Sequence, residues 1–362
     1  MNAAAKNYDG VNKYIRITDI DEASSTYTDK DIVSPDGVLT DNYLVNNRDI
    51  LLARTGASTG KSYLYKKSDG KLYYAGFLIR ANVTTHDPYF VFSQLHTHRY
   101  WRWVSIMSAR SGQPGINSQE YSSFPIYTTS IEEESKIAKL LSLLDERIAT
   151  QNKIIEDLKK LKSAIIDYAM NSIDADFIKF SSLYEIAGEG GTPTTSNASF
   201  YDNGKIPFIK IDDLKKKYLT ENKDFITELG LQKSSAWLVP SRSILFSNGA
   251  TIGEISITTY PVCTKQGILG IVPKQNIDVE FLYYFMSSSY FKKAVSRIVT
   301  EGTMKTAYLK DINNILCPIP TKEKQQEIAK MPSALNSKID FEQSILKLFC
   351  SQKQYLLRQM FI

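Results

Sequence analysis

Apolar and polar positions along this 362-residue chain follow one pattern twice. Alternating apolar and polar residues predict a strand at 14–20 and another at 208–214. In each half a buried strand then runs into a Gly-x-x-x-Gly turn, at 51–60 and at 244–253. The second half follows the first at an offset of about 193 residues, and such self-similarity is typical of a duplicated structural unit.

The remainder of each half continues the repeat. A glycine-containing strand precedes an aromatic-rich helical stretch, which spans 88–105 in one half and 279–296 in the other. Strands mixed with helices in this order predict two copies of an α/β (α+β) domain, each closing on a proline-containing segment. We place the first repeat domain at residues 1–128 and the second at residues 172–320.

A long amphipathic helix is predicted after each domain, at 129–171 and 321–362. Apolar residues recur there with a period near 3.5, which predicts a coiled-coil seam. The seam of the first helix consists of Ile137, Leu141, Leu144, Ile148, Ile155, Leu158 and Ile165. The seam of the second consists of Ile328, Leu335, Ile339, Leu346, Phe349 and Leu356.

Polar residues interrupt the two seams at equivalent positions, Gln151 with Glu342 and Lys162 with Lys353. Polar groups in a seam cost stability but can set the register, so their agreement predicts that the two helices pair with each other. Two unrelated amphipathic helices would also carry apolar stripes, but their flanking segments would not repeat. Because proline removes a helical hydrogen bond, we expect a kink or a fresh helix start at Pro332.

The order domain–helix–domain–helix has a functional implication. Two copies related by a local two-fold axis would place the helices antiparallel, with one domain near each end. A helix of roughly 38 residues would span about 57 Å and would act as a spacer. Two different domains on a spacer suit double-helical DNA, whose half-sites recur with the helical turn. The pattern therefore predicts recognition of a bipartite, asymmetric DNA site.

Several segments resemble the specificity subunits of type I restriction–modification enzymes. Residues 190–194, Gly-Gly-Thr-Pro-Thr, and residues 204–210 resemble the opening of a target-recognition domain. Residues 318–329, with a first-copy version at 125–138, resemble the start of the family's conserved helix. The resemblance implies a subunit that binds double-stranded DNA and two modification (methyltransferase) subunits, joined by restriction subunits in the full enzyme. It also implies that this subunit is not an enzyme, with no catalytic residue and no cofactor.

The first domain departs from this pattern at its beginning. The second domain has residues 177–207 before its first matched strand, whereas the first has only residues 1–13 and no Gly-Gly-Thr-Pro. Either the first domain is of a shorter type or the chain is truncated. The departure keeps an alternative open, a coiled-coil scaffold or decoy that binds modification subunits without productive DNA reading. A self-sufficient DNA methyltransferase is a further alternative, and its missing motifs disfavour it.

Composition and charge narrow the class of protein. The net charge of +5 permits a polyanionic partner without requiring one. The chain has no run of 18 apolar residues that would predict a membrane span. Its three cysteines have no metal-binding spacing and suit a reducing cytoplasm. We therefore expect a cytoplasmic protein without a membrane partner or a metal site.

Two motifs match catalytic or nucleotide-binding sequences only in part. Residues 56–62 are one residue short of a phosphate-binding P-loop, and the second copy has Glu254 in place of Lys61. Residues 87–90, Asp-Pro-Tyr-Phe, lack the second proline of an amino-methyltransferase motif. They predict instead a helix that starts with proline at its first position.

Histidines and aromatic residues of the first domain also receive structural interpretations. His96 and His98 are two residues apart, so on a helix they point to different faces and predict no metal site. Tyr100, Trp101 and Trp103 are interpreted as core residues rather than as platforms for stacking bases.

DNA contacts are expected on two kinds of loop in each domain. These are the Gly turns and the loops that precede the closing proline, at 110–117 and 300–306. Base readout favours Arg, Asn, Gln and Lys on well-positioned loops. The predicted DNA-binding residues are Arg54, Lys61, Arg110, Gln113, Asn117, Asn248, Lys265, Gln266 and Lys305.

Overall fold

The structure is a computed structural model, and it describes residues 1–109, 114–249, 251–299 and 305–361. The chain divides by its internal contacts into two compact units. Unit 1 consists of residues 1–153 and 344–362, and unit 2 consists of residues 154–343. Each unit therefore contains one repeat domain together with parts of both long helices, whereas the sequence assigned each helix to a segment of its own.

Short strands and helices build the first repeat domain in unit 1. The strands are β1 (Ala4–Asn7), β2 (Lys13–Ile15), β3 (Val33–Asp36), β4 (Asp49–Ala53), β5 (Ser62–Leu64), β6 (Leu72–Tyr74) and β7 (Leu78–Asn82). The helices are α1 (Pro88–Gln94), α2 (His98–Ser108) and α3 (Ser118–Ser122), followed by the long α4 (Ile131–Asn171). An antiparallel sheet has the order β5–β4–β7, β2 pairs in parallel with β6, and β1 pairs antiparallel with β3.

The second repeat domain lies in unit 2. Its strands are β8 (Phe177–Lys179), β9 (Tyr184–Glu189), β10 (Ile206–Ile209), β11 (Tyr218–Leu219), β12 (Asp224–Ile226), β13 (Ile244–Ser247), β14 (Ile255–Thr258), β15 (Cys263–Thr264), β16 (Ile268–Pro273) and β17 (Leu316–Pro318). Its helices are α5 (Glu228–Gln232), α6 (Val279–Ser287), α7 (Ser289–Ile298) and α8 (Leu309–Ile312), and the long α9 (Lys322–Met360) follows. The sheets have the orders β11–β14–β13–β16–β9, β12–β10–β15 and β17–β8.

The pairing scheme confirms the internal repeat. In unit 2, β10 and β15 form a parallel pair and β13 lies between antiparallel β14 and β16. Unit 1 has the same arrangement in β2–β6 and in β5–β4–β7. The outer edge of β16 is covered by β9, whereas in the described part of unit 1 no strand pairs with the outer edge of β7.

The strand predicted at 14–20 is wrong in its second half, where β2 gives way to a 3-10 turn. The Asp19 carboxylate accepts a hydrogen bond from the Arg16 backbone N–H at 2.8 Å. The second domain makes the same change, because Asp213 accepts from the Lys210 N–H at 2.9 Å. In both repeats the backbone N–H thus donates to a nearby aspartate carboxylate instead of to a neighbouring strand, and the strand ends there.

Helix capping divides the aromatic-rich stretch of each domain into two helices. Thr97 Oγ1 accepts from the Tyr100 N–H at 3.2 Å and begins α2. Ser288 Oγ accepts from the Phe291 N–H at 3.3 Å and begins α7. Tyr100 and Phe291 are both 0 % exposed, so each capped turn also anchors an aromatic side chain in the core.

The central strand of each sheet is buried on both faces. In unit 1, Ile50 and Leu52 pack with the helices, while Leu51 and Ala53 pack on the opposite face of the sheet. Strand β13 does the same in unit 2. Burial on both faces explains why these strands are continuous apolar runs without alternation.

The long helices pair antiparallel within unit 1, as predicted. Leu141 shares an apolar cluster with Leu357. About one turn farther along α4, Asp145 accepts a hydrogen bond from Lys353 Nζ at 2.6 Å. Residues farther along α4 therefore contact residues nearer the start of α9, which is the arrangement of an antiparallel pair.

Within unit 2 the helices are also antiparallel. Lys162 Nζ of α4 donates to Asn336 Oδ1 of α9 at 3.0 Å. Met170, near the end of α4, shares a cluster with Ala329, near the start of α9. Burial lowers the pKa of Lys162, whose partner is a neutral amide. Lys162 and Lys353 are thus equivalent seam residues with equivalently placed partners.

The fresh helix start expected at Pro332 is wrong, because α9 begins at Lys322 and continues through the proline. Ala329 and Ile339, on either side of the proline, are each 4 % exposed, so packing offsets the lost hydrogen bond. Among the predicted seam residues, Leu141, Ile155 and Ile339 are buried. The half-buried ones are Ile137, Leu144, Ile148, Leu158, Ile165, Ile328, Leu335, Leu346, Phe349 and Leu356.

Candidate nucleic-acid interface

Two buried tyrosines and two glycines hold the first Gly turn. Gly56 and Gly60 have φ angles of +68° and +92°, a region that favours glycine. The Tyr100 hydroxyl donates to the Gly60 carbonyl at 2.8 Å, and the Tyr121 hydroxyl donates to the Ala53 carbonyl at 2.6 Å. Burial raises the pKa of Tyr121 to about 12, so its hydroxyl remains a donor at neutral pH. The turn is therefore rigidly attached to the core.

The loop before the closing proline lies directly against this turn. The Gly56 N–H donates to the Pro114 carbonyl at 2.9 Å, and the Ile116 N–H donates to the Arg54 carbonyl at 2.9 Å. The two loops that the sequence singled out are therefore parts of one surface in the first domain. Two predicted residues of this loop, Arg110 and Gln113, lie outside the described residues.

The second domain joins the same two loops in the same way. The Ala307 N–H donates to the Asn248 carbonyl at 2.9 Å, as Ile116 does to Arg54. The Asn248 N–H donates to the Gly267 carbonyl at 3.0 Å, as the Arg54 N–H does to Phe77. Arg54 thus occupies the place of Asn248, one residue away from the match with Ser247 that the sequence predicts.

Five of the predicted DNA-binding residues are exposed, namely Arg54, Asn117, Lys265, Gln266 and Lys305. Arg54 lies on the joined loops of the first domain, and Lys305 lies two residues from Ala307 on those of the second. Lys265 and Gln266 immediately precede Gly267. Each domain therefore presents cationic or amide groups at the place where its two loops meet.

Three of the predicted residues, the exposed Asn117 among them, use their side chains to hold the loops. Lys61 forms an ion pair with Glu22 at 3.2 Å and its side chain is 18 % exposed. Asn248 is 1 % exposed, and its amide donates to the Ala307 carbonyl at 3.3 Å. Asn117 caps α3, where its Oδ1 accepts from the Glu120 N–H at 2.9 Å. As placed here, these side chains position the surface and do not extend toward a ligand.

Two exposed aromatic residues border the surface of the first domain. Phe77 is 60 % exposed, and its carbonyl accepts from the Arg54 N–H at 3.0 Å. Trp101 is 42 % exposed, and its Cζ3 lies 3.0 Å from where a Cβ on Gly60 would stand. The core interpretation is therefore wrong for Trp101, although it is confirmed for Tyr100 and for the half-buried Trp103. Phe77 carried no signal in the sequence, where it belonged to a predicted strand.

The partial motifs have structural roles. Asp87 caps α1, and its Oδ1 accepts from the Tyr89 N–H at 2.9 Å, as the predicted helix start requires. His96 lies with its Nδ1 3.0 Å from the Phe92 carbonyl and its Nε2 3.0 Å from Ser25 Oγ. Burial lowers the pKa of His96 to about 4. In the described ranges, no three His, Cys, Asp or Glu side chains are grouped as metal ligands.

A second candidate surface is a groove on unit 1. It is lined by apolar residues of α4 and α9 with Arg147 at its side, namely Leu140, Leu143, Leu144, Phe349 and Leu356. Leu140 and Leu143 are 46 % and 51 % exposed. Exposed leucines grouped in one concave place are typical of a protein-binding surface. None of the helices in the described part of the chain combines the length and the apolar character that a membrane span requires.

A family model described as type I restriction modification DNA specificity domain matches residues 1–160 and again residues 173–348. The putative type I restriction enzyme MjaX specificity subunit of Methanocaldococcus jannaschii is 25% identical over 285 residues, which are 73% of this chain and 65% of that protein. The MjaVIII specificity subunit of the same organism is 25% identical over 83% of this chain and 75% of its own length. The chain thus covers slightly less than two thirds of the MjaX relative.

Solved structures show a similar fold. The crystal structure of a type I restriction-modification system S subunit from M. genitalium has a TM-score of 0.61 with 16% identity, and the match covers 100% of this chain and 93% of that one. A chain from a study of complex assembly and conformational transition of the type I R-M system has a TM-score of 0.60 with 14% identity, over 96% of this chain and 90% of that one. At these identities the likeness concerns the fold.

Proposed function

Because the chain belongs to the family of type I restriction–modification DNA specificity domains, we propose that each repeat domain reads one half of a split DNA site. The observation that carries this proposal is the joining of the Gly turn and the pre-proline loop at equivalent backbone positions in both domains. A duplicated surface on a duplicated fold suits a duplex, which offers two half-sites of similar geometry.

The two half-sites differ in sequence under this proposal. At equivalent positions the first domain carries Arg54 and Phe77, whereas the second carries Asn248 and Gly267. Arginine pairs with guanine edges, while an exposed phenylalanine contacts a thymine methyl group or a base step. The second domain presents Lys265, Gln266 and Lys305 instead, which suits a different base pattern. Phosphate contacts from these cations make the affinity fall with rising salt.

The chain acts as a cytoplasmic, non-catalytic subunit that directs modification subunits to the site. The groove of Leu140, Leu143 and Phe349 on unit 1 offers apolar surface for docking one such subunit. The repeat offers the corresponding helix face of unit 2, where Leu161 and Met331 are exposed, to a second modification subunit. The methyl donor belongs to those partners, and restriction subunits join them in the full enzyme.

Co-expression with the candidate modification subunit, followed by base-resolution methylation mapping of host DNA, tests this function. We expect methylation at a split, asymmetric motif, and exchange of residues 177–317 for those of a relative should change one half only. Arg54→Gln should affect the other half. Lys216→Gln is the matched control, since Lys216 is exposed and paired with Glu221 away from the joined loops. Formation of the complex without any methylated motif would instead indicate a scaffold.

A further inference from the structure

Helix α7 packs against the joined loops of the second repeat domain. Val295 of this helix belongs to the same apolar cluster as Ala307 of the pre-proline loop and half-buried Ile252 of the Gly turn. The first domain has the same arrangement, because a Cβ on Gly60 would lie 2.7 Å from Val104 Cγ1 of α2. In each domain the outward side of this helix therefore borders the candidate DNA surface.

The outward side of α7 is cationic. Lys292, Lys293 and Arg297 are exposed, and the helix contains no acidic residue. Residues four positions apart are neighbours on a helix surface, so Lys293 and Arg297 lie on the same side, and Lys292 is beside Lys293. We call these three residues the cationic face of α7.

These cations have no carboxylate partner in the part of the chain that the structure describes. Exposed lysines elsewhere are paired within their own helix, as Lys160 is with Glu156 at 2.7 Å. Asp167 approaches the start of α7, but it accepts hydrogen bonds from the Ser289 N–H at 2.8 Å and from the Ser289 hydroxyl at 2.6 Å. The positive charge of this face is therefore not balanced locally, which suits a polyanionic ligand.

The first domain repeats the helix without repeating its charge. Because Tyr100 corresponds to Phe291, the residues of α2 at the positions of the cationic face are Trp101, Arg102 and Ile106. Trp101 and Ile106 are 42 % and 58 % exposed, so these positions lie at the surface in both domains. The repeat has thus kept the exposed helix face and has changed its charge.

We propose that the cationic face of α7 binds the DNA sugar–phosphate backbone beside the half-site that the second domain reads. This inference rests on the proposed function and adds that the second domain supplies more of the sequence-independent affinity than the first. Exposed Lys265 and Lys305 on the joined loops extend the same positive charge. Phosphate contacts fix the position of a protein on the duplex but carry no sequence information. The first domain, with Arg102 alone on the equivalent face, makes fewer such contacts.

The test is DNA binding by the full chain with its modification subunit, measured by fluorescence anisotropy at several salt concentrations. One labelled duplex carries the site found by methylation mapping, and a second duplex lacks it. The triple variant Lys292→Gln, Lys293→Gln, Arg297→Gln should lower the slope of log affinity against log salt by about 2–3 on both duplexes, since each phosphate contact contributes about 0.9. Methylation mapping should return the same motif as for the wild type, because bases are read elsewhere.

Matched variants separate local charge from net charge. Exchange of both lysines of the cationic face for arginine, and of Arg297 for lysine, keeps every charge and should keep the slope. Replacing exposed Lys215, Lys216 and Lys223 with glutamine removes as many charges from another part of unit 2 and should change the slope by less than about 1. Arg102→Gln in the first domain should lower it by about 1 at most.

Four outcomes decide the matter. An unchanged slope in a triple variant that still binds the mapped site would overturn this inference and leave the proposed function standing. A changed base in the methylated motif would show that the cationic face reads bases, and an equal loss in the Lys215, Lys216 and Lys223 variant would show an effect of net charge alone. If the wild-type complex had no preference for the mapped site, the proposed function would fail, and the slope on the second duplex would still test the cationic face.

Discussion

Replacing Asp145 with asparagine should destabilise unit 1, because Asp145 is the counter-charge of a seam lysine. Its carboxylate accepts hydrogen bonds from Lys353 Nζ at 2.6 Å and from the Tyr89 hydroxyl at 2.5 Å. The side chains of Lys353 and Asp145 are 20 % and 32 % exposed. The substitution makes this position like its counterpart Asn336 in unit 2.

The expected loss lies between two limits. An exposed ion pair contributes about 0–1 kcal/mol, whereas removing one partner of a fully buried pair costs about 3–5 kcal/mol. Because both side chains are partly exposed, we expect Asp145→Asn to lower the free energy of unfolding by about 2 kcal/mol. The exposed pair of Lys136 and Glu133, with side chains 75 % and 51 % exposed, is the matched control. Glu133→Gln should cost no more than about 0.5 kcal/mol.

Urea unfolding followed by tryptophan fluorescence measures this change in unit 1. Trp101 and Trp103 lie in unit 1 and Trp237 lies in unit 2, so a Trp237→Phe background makes the emission report on unit 1 alone. A double-mutant cycle with Lys353→Met isolates the pair, and we expect a coupling free energy of about 1 kcal/mol or more. Strictly additive effects of the two substitutions would refute the assignment of a stabilising pair.

Three further predictions concern unit 1. Gly60→Ala should cost about 3 kcal/mol in urea unfolding, because its Cβ would lie 2.7 Å from Val104 Cγ1 at a φ of +92°, whereas Gly56→Ala has open space and should cost about 1 kcal/mol. The pKa of His96 is about 4 in the fold, against about 6.5 when unfolded, so the unfolded chain takes up the proton first. Wild-type unit 1 should therefore lose about 2 kcal/mol between pH 7.5 and pH 5, and His96→Asn should remove that dependence. Arg54→Gln should lower the slope of log affinity for the mapped site against log salt by about 1, while an unchanged slope would exclude a phosphate contact.

The order of domains and helices could be predicted from the sequence because the repeat provides an internal comparison, whereas the pairing of the strands could not. A single buried run such as residues 49–53 fits a strand or a short piece of helix equally well. Two such runs, each followed by a Gly turn and then by an aromatic helical stretch, favour a strand in both copies. The antiparallel pairing of α4 and α9 was accessible for the same reason, since Lys162 and Lys353 interrupt the two seams at matching places.

The residue-by-residue alignment of the two Gly turns could not be predicted from the sequence. In the first turn the Gly60 N–H donates to the Ala53 carbonyl, and in the second turn the Gly253 N–H donates to the Ser247 carbonyl. The first turn therefore has one residue more than the second between these two equivalent hydrogen-bonded positions. The spacing between the two glycines is the same in both copies, so a comparison anchored on glycine shifts the preceding strand by one. Strands β4 and β13 are buried on both faces and have no alternation that would reveal the shift.

Polar anchors of the helix starts show why the two copies diverge more in sequence than in structure. Glu134 of α4 accepts hydrogen bonds from the Asp87 N–H at 2.9 Å and faces His86 Nδ1 at 2.9 Å. Gln325 of α9 accepts from the Asp278 N–H at 2.8 Å, but its amide also donates to the carbonyl of Pro320 at 2.9 Å. A carboxylate cannot donate, and a buried polar group without a partner is costly. A substitution of Glu134 or Gln325 would therefore require a matching change in the groups that contact it. The two repeats keep this contact at the same place in the fold but make it with different side chains.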